Sequence, residues 1–125
     1  MAEKSGRKPR ILIVDDDSMI RSFLRLMLRE DGYEVVGEAG SGENLVNLCR
    51  ATRAELVLLD INLPGIDGLQ ALETLRNAHP EMRVIMISAE ATLDRVQQAM
   101  AKGARGFIVK PFNAGKVLSD IAACL

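Results

Sequence analysis

The chain has 125 residues, 48% of them hydrophobic, with 16 lysines and arginines against 17 aspartates and glutamates for a formal charge of −1. That length supports a single globular domain with a core of its own and no need for disulfides or a structural metal. The balanced charge lacks the clustered basic excess on which direct nucleic-acid binding depends.

No apolar run approaches the ~20 residues of a membrane span, and the N-terminus has no secretory stretch, which points to a cytoplasmic protein without a membrane partner. Cys49 and Cys124 lie far apart without C-x-x-C spacing, and His79, the single histidine, cannot complete a zinc set; they read as two reduced thiols.

In chain order, residues 1–9 are polar and mostly basic and end in Pro9, a composition that predicts a short disordered tail ahead of a domain over 10–125. Ile11–Val14 is the first apolar run and is followed by Asp15, Asp16 and Asp17. Ile20, Phe23, Leu24, Met27 and Leu28 then repeat at helical spacing, so Ser18 to about Glu30 is an amphipathic helix with Asp17 or Ser18 as its cap. Glu34–Ala39 is a mixed run that suits an edge strand, and Leu45, Leu48 and Cys49 mark a second helix. Leu56–Leu59 leads to Asp60, after which Leu69, Leu72 and Leu75 give a third helix. Val84–Ile87 leads to Ser88, with Val96, Ala99 and Met100 on a fourth helix. Phe107–Val109 leads to Lys110, and Val117, Leu118, Ile121, Ala122 and Leu125 form the last.

The first, third and fourth runs show no polar alternation, the mark of strands covered by helices on both faces. Five strand–helix units fit an open, doubly wound α/β sheet better than an eight-stranded barrel. In such sheets ligands bind beyond the carboxyl ends of the strands, where Asp15, Asp16, Asp60, Ser88 and Lys110 all fall. The first of these loops is acidic and lacks phosphate-cradling glycines, which disfavours nucleotide binding there.

Carboxylates ~4 Å apart repel by about 4 kcal/mol per pair at an effective dielectric near 20, so such a cluster takes up protons or binds a cation. Mg²⁺ with a phosphate oxygen among its ligands is the natural answer, which points to phosphoryl chemistry. Asp17, nearest the helix start, is better explained as the cap.

The segments ILIVDDDS (Ile11–Ser18), LLDINLPGIDG (Leu58–Gly68), MISAE (Met86–Glu90) and GFIVKPF (Gly106–Phe112) match in order and spacing the motifs of a known family. From about Arg10 to its end the chain resembles the receiver domains of bacterial two-component response regulators, single-domain chemotaxis regulators among them.

The resemblance implies a flavodoxin-like three-layer fold with a parallel sheet of order 2-1-3-4-5. It implies Asp60 as phosphoacceptor, with Mg²⁺ held by Asp15, Asp16, Asp60 and the backbone carbonyl of Asn62. Ser88 and Lys110 would contact the phosphoryl oxygens, and Asn62 and Glu90 would tune its hydrolysis. Ser88 and Phe107 would form the switch, with Ser88 standing where Thr is frequent and Phe107 where many chemotaxis regulators have Tyr. Pro111 resembles the family's cis-proline, while Gly65 and Gly68 let backbone pass close to the phosphoryl site.

The partners implied are a sensor histidine kinase or histidine phosphotransfer protein and a downstream protein. The latter would be met on the face of the fourth helix, fifth strand and fifth helix, where Arg95, Gln98, Lys102, Asn113 and Lys116 are candidate exposed contacts. Such a protein is a signalling phosphoacceptor that catalyses only its own phosphotransfer and dephosphorylation. Two alternatives are a receiver cut from a longer regulator with a DNA-binding or enzymatic output, and a Mg²⁺-dependent aspartyl-phosphate phosphohydrolase. The phosphohydrolase would need a second acid and a cap, neither visible in the sequence.

Overall fold

A computed structural model describes residues 8–125 of the chain. Strands β1 (Arg10–Val14), β2 (Glu34–Ala39), β3 (Leu56–Asp60), β4 (Arg83–Ser88) and β5 (Gly106–Val109) alternate with helices α1 (Ser18–Glu30), α2 (Leu45–Thr52), α3 (Gly68–Ala78), α4 (Leu93–Ala101) and α5 (Ala114–Ala123). All strand pairs are parallel and the sheet order is β2-β1-β3-β4-β5, as the family resemblance implies.

Because strand side chains alternate faces, each apolar run feeds two cores. Leu12, Val14, Val57, Leu59, Val84 and Met86 point to the side that α2, α3 and α4 cover. Ile11, Ile13, Leu56, Leu58, Ile85, Ile87 and Ile108 point to the side closed by α1 and α5 through Leu24, Leu28, Val117 and Ile121. Burying each such Leu, Ile or Val contributes about 1.5–3 kcal/mol, which is why the central strands tolerate no polar alternation.

The helices are set by local chemistry. Asp17 caps α1, its Oδ1 accepting from Met19 N at 2.9 Å. Asp67, Thr92 and Asn113 do the same for α3, α4 and α5. Asp17→Ala is expected to lower stability by about 1 kcal/mol, read as a shift of the urea midpoint at unchanged slope.

Some apolar positions fall outside the core. Phe23, expected on the buried stripe of α1, is 44% exposed and packs instead against Phe112, ring centroids 6.0 Å apart. The stripe that faces the sheet is Leu24, Met27 and Leu28, and Phe23 lies one step round the helix from it. Met100 and Leu125 are likewise exposed, at 47% and 56%, because α4 buries only Ala99 and α5 ends at Ala123.

Of the tail expected over residues 1–9, residues 1–7 lie outside the described residues. Lys8 stands over the Tyr33 ring, 4.7 Å from its centroid, and pairs with Asp31, while Pro9 is buried.

Candidate functional site

At their carboxyl ends β1 pairs with β3 through Val14 and Leu59, and backbone hydrogen bonds that run past the strands join β1 to β2, β3 to β4 and β4 to β5. Asp15 N donates to Ala39 O at 3.0 Å, Ile61 N to Ile87 O at 3.0 Å, and Lys110 N to Ser88 O at 2.8 Å. This register brings Asp15, Asp60, Ser88 and Lys110 to one edge of the sheet.

Asp15 and Asp60 are 1% and 2% exposed, a burial that carboxylates accept only when partnered. The Lys110 Nζ supplies the partner, 2.9 Å from Asp15 Oδ2 and 3.1 Å from Asp60 Oδ2. Asp60 Oδ1 accepts from Asn62 N at 3.1 Å and Asp15 Oδ1 from Asp17 N at 2.9 Å.

Asp15 Oδ2 is buried and meets Lys110 Nζ alone among the described residues. Asp16 is exposed at the mouth, yet oxygens of Asp15, Asp16 and Asp60 lie within 4.8 Å of one another. Three carboxylates face one ammonium.

The imbalance marks the titration of the site. Burial pushes the Asp60 carboxyl above the ordinary Asp range and the charge of Asp15 adds to this, against the opposing pull of Asn62 N and Lys110. Burial lowers Lys110, but its contacts with Asp15 and Asp60 outweigh that and leave it raised.

Two buried carboxylates that share one ammonium, a third carboxylate in reach and a surplus of negative charge fit a hard divalent cation, Mg²⁺ among them. Asp15, Asp16 and Asp60 are the residues able to hold it.

Ser88 is fully buried, and its hydroxyl is engaged with the backbone of Glu90, donating to its carbonyl at 3.1 Å and accepting from its N–H at 3.0 Å. The side chains of Asn62 and Glu90 lie at the exposed rim. Phe107 is half-buried and packs against the core on the α2, α3 and α4 side. The Lys110–Pro111 peptide is cis.

Gly68, the first residue of α3, passes so close to the nucleophile strand that a Cβ there would lie 2.3 Å from Asp60 O and 2.5 Å from Ile61 Cα. Gly65 has φ +81°, a conformation other residues adopt at a cost.

Among the expected surface contacts, Gln98, Asn113 and Lys116 are exposed, whereas Arg95 and Lys102 are half-buried. Most are already engaged: Lys102 with Glu73 at 3.6 Å, Gln98 with Asp94, Lys116 with Asp120, and Asn113 as the cap of α5.

One feature of the site went unread in the sequence: Arg21 of α1 donates to the Asp15 carbonyl at 2.6 Å and pairs with Glu38 at 3.4 Å. Its position four residues after the Asp17 cap is the only sequence signal of it.

Comparison with known proteins agrees with this geometry. The model of the response regulator receiver domain family matches residues 11–122. The chemotaxis protein CheY of Bacillus subtilis is 40% identical over 112 residues, covering 90% of this chain and 93% of the relative. The transcriptional regulatory protein PdtaR of Mycobacterium tuberculosis is 36% identical, with 90% of this chain aligned to 54% of the relative. A chain in the crystal structure of the CheX-CheY-BeF3-Mg+2 complex from Borrelia burgdorferi superposes with a TM-score of 0.90 at 32% identity, covering 96% of this chain and 91% of that one. With the family model over most of its length and these relatives beside it, the chain belongs to the response regulator receiver domains and is CheY-like.

Proposed function

We propose that the chain is a signalling phosphoacceptor that takes a phosphoryl group on Asp60 from a histidine kinase or histidine phosphotransfer protein and changes its protein contacts in response. The observation that carries this reading is the buried Asp60 carboxylate held between Lys110 and two further acids at the open edge of the sheet.

Asp15, Asp16 and Asp60, with the carbonyl of Asn62, would hold Mg²⁺, which when bound offsets charge on the phosphoryl oxygens. An ionised carboxylate needs no base. An Asp60 oxygen forms the bond to phosphorus as the bond to the donor nitrogen breaks, and the donor imidazole leaves with the electron pair. Lys110, already beside Asp60 Oδ2, holds a positive charge where the equatorial oxygens gather negative charge. Asn62 and Glu90 stand at the rim from which water attacks in dephosphorylation.

Met19, 80% exposed, and Phe23 line an apolar groove with Pro111 and Phe112 that opens beside Lys110. We assign this groove, which adjoins Lys110 and so lies next to Asp60, to the phosphodonor protein. The signal leaves on the face of α4, β5 and α5: Ser88 gives up the Glu90 backbone for the phosphoryl group, and the half-buried Phe107 turns inward.

Acetyl phosphate with Mg²⁺ is expected to add one phosphoryl group, mapped to Asp60 by peptide mass. Asp60→Asn is expected to stay unlabelled; labelling of that variant at the wild-type level would overturn the assignment. In metal-free protein an NMR titration of the Asp60 carboxyl is expected to show it taking up its proton above the ordinary carboxylate range, because burial raises its folded-state value.

A further inference from the structure

The peptide groups on either side of Asp15 are both held from outside β1. Asp15 N donates to Ala39 O at 3.0 Å, and Asp15 O accepts from Arg21 Nη1 at 2.6 Å. A peptide is planar, so a carbonyl that is held also fixes the amide nitrogen and Cα of the residue that follows it. Here that residue is Asp16.

Asp16 needs such a hold. Its carboxylate comes within 4.8 Å of oxygens of Asp15 and Asp60, yet it is exposed and makes no hydrogen bond or ion pair among the described residues. Its direction is therefore set by its backbone. On its far side Asp17 N donates to Asp15 Oδ1 at 2.9 Å, which closes the loop on itself, whereas Arg21 ties the 15–16 peptide to the body of α1.

Arg21 is itself braced. Its Nε lies 3.4 Å from Glu38 Oε1 on β2, and Glu38 also pairs with Arg25, one turn further along α1. A Cβ at Gly40 would stand 3.5 Å from Arg21 Nη1, so the fork lies against the chain just after β2. The rigid guanidinium plane donates from Nη1 to the carbonyl and turns Nε to Glu38, two directions that a single ammonium does not cover together. Helix stability does not ask for this residue, because the dipole disfavours a cation in the first turn of α1. Nor does Arg21 neutralise the acidic cluster: it meets a carbonyl and Glu38, and none of the three site carboxylates.

We propose that Arg21 is a positioning residue for the cation site: by holding the Asp15 carbonyl it sets the 15–16 peptide, and through it the direction of the Asp16 carboxylate. The inference rests on the Mg²⁺ reading of the acidic cluster given above. The sign of the effect separates it from a charge effect. A positive charge near the cluster repels Mg²⁺, so removing Arg21 would tighten Mg²⁺ binding if its charge were what mattered and weakens it if the hold on the carbonyl is.

Mg²⁺ titrations of the full chain, followed by backbone amide shifts in wild type, Arg21→Ala, Arg21→Lys and Arg25→Ala, test this. Arg21→Ala is expected to weaken Mg²⁺ about tenfold, the lower end of what is lost with a group that orients a metal ligand. Arg21→Lys keeps the charge without the fork; it is expected to lose Mg²⁺ affinity too, and serves if Arg21→Ala does not fold. Arg25→Ala breaks an ion pair with the same Glu38 but touches no part of the 15–16 peptide, and is expected to bind Mg²⁺ like wild type. In metal-free protein, nitrogen relaxation of the Asp16 amide is expected to show added motion in Arg21→Ala and none in Arg25→Ala. A folded Arg21 variant that binds Mg²⁺ as tightly as wild type or tighter, an equal loss in Arg25→Ala, or an Asp16 amide unchanged in Arg21→Ala would overturn the positioning role while wild-type binding upholds the cation site. The absence of saturable Mg²⁺ shifts at Asp15, Asp16 and Asp60 in wild type would overturn the cation site itself and this proposal with it.

Discussion

Lys110→Ala is expected to slow labelling by acetyl phosphate about 10²–10³-fold, the usual cost of removing one preorganised donor from the place where charge develops. It is also expected to destabilise the protein, and the size of that effect should depend on the cation present. In wild type the ammonium lies 2.9 Å and 3.1 Å from two carboxylates that are almost wholly buried. Removing one partner of a buried ion pair costs about 3–5 kcal/mol; Lys110 keeps some solvent access and Asp60 can protonate, so about 2–3 kcal/mol is expected with EDTA present. Millimolar Mg²⁺ should restore more stability to the variant than to wild type, because a bound cation relieves repulsion that the lysine no longer relieves. Urea unfolding with and without Mg²⁺ reads this directly. Equal destabilisation in both conditions would contradict a shared role for the lysine and the cation.

The pH dependence follows from the same groups. Asp60 has a folded-state value above its unfolded one, so its contribution to stability is fully present below the unfolded value and is lost as pH rises through the raised folded value. Ionising the nucleophile therefore costs stability. In metal-free protein, Asp15→Asn removes one of the causes of the raise and is expected to move the Asp60 titration downward. Lys110→Ala removes a cause that opposes it and is expected to move the same titration upward.

How much of this was legible in the sequence depends on whether the controlling physics is local. The apolar runs at Ile11–Val14 and Val84–Ile87 announce strands covered on both faces because burial on both faces leaves no room for polar residues, and the cap at Asp17 is readable from one side chain and the turn after it. That Asp15 is buried while its neighbour Asp16 is exposed depends on where β1 ends at Val14 and the chain leaves the sheet, which the run of three aspartates does not reveal. The hold of Arg21 on the Asp15 carbonyl and the sharing of Lys110 between Asp15 and Asp60 depend on distances in the fold that no spacing in the chain encodes. Phe23 shows the other limit: helical period puts it near the buried stripe, and only the packing of α1 against α5 decides that it faces Phe112 rather than the sheet.

Gly68→Ala is expected to be as damaging as any change to a charged group, although it adds one methyl. The new Cβ would stand 2.3 Å from Asp60 O, 2.5 Å from Ile61 Cα and 2.8 Å from Ile61 O, all of them backbone atoms that no side-chain rotation can clear. Gly68 N also donates to Ile61 O at 2.8 Å, so the start of α3 and the end of β3 are bound together where the clash falls. Either the helix backs away and loses that hydrogen bond with the packing of Leu69 and Leu72, or the strand end yields and carries Asp60 with it. The cost is expected to be about 3 kcal/mol, at the upper end of what overpacking a core incurs. A nucleophile displaced by about 1 Å is expected to react about 100-fold more slowly. Gly115→Ala is the matched control: its Cβ would meet only Asn113 Oδ1, at 3.4 Å, in the first turn of α5. Helix propensity favours Ala there by up to about 1 kcal/mol, with labelling unchanged. If Gly68→Ala melts and labels like Gly115→Ala, the close approach of α3 to the nucleophile strand is not what holds Asp60 in place.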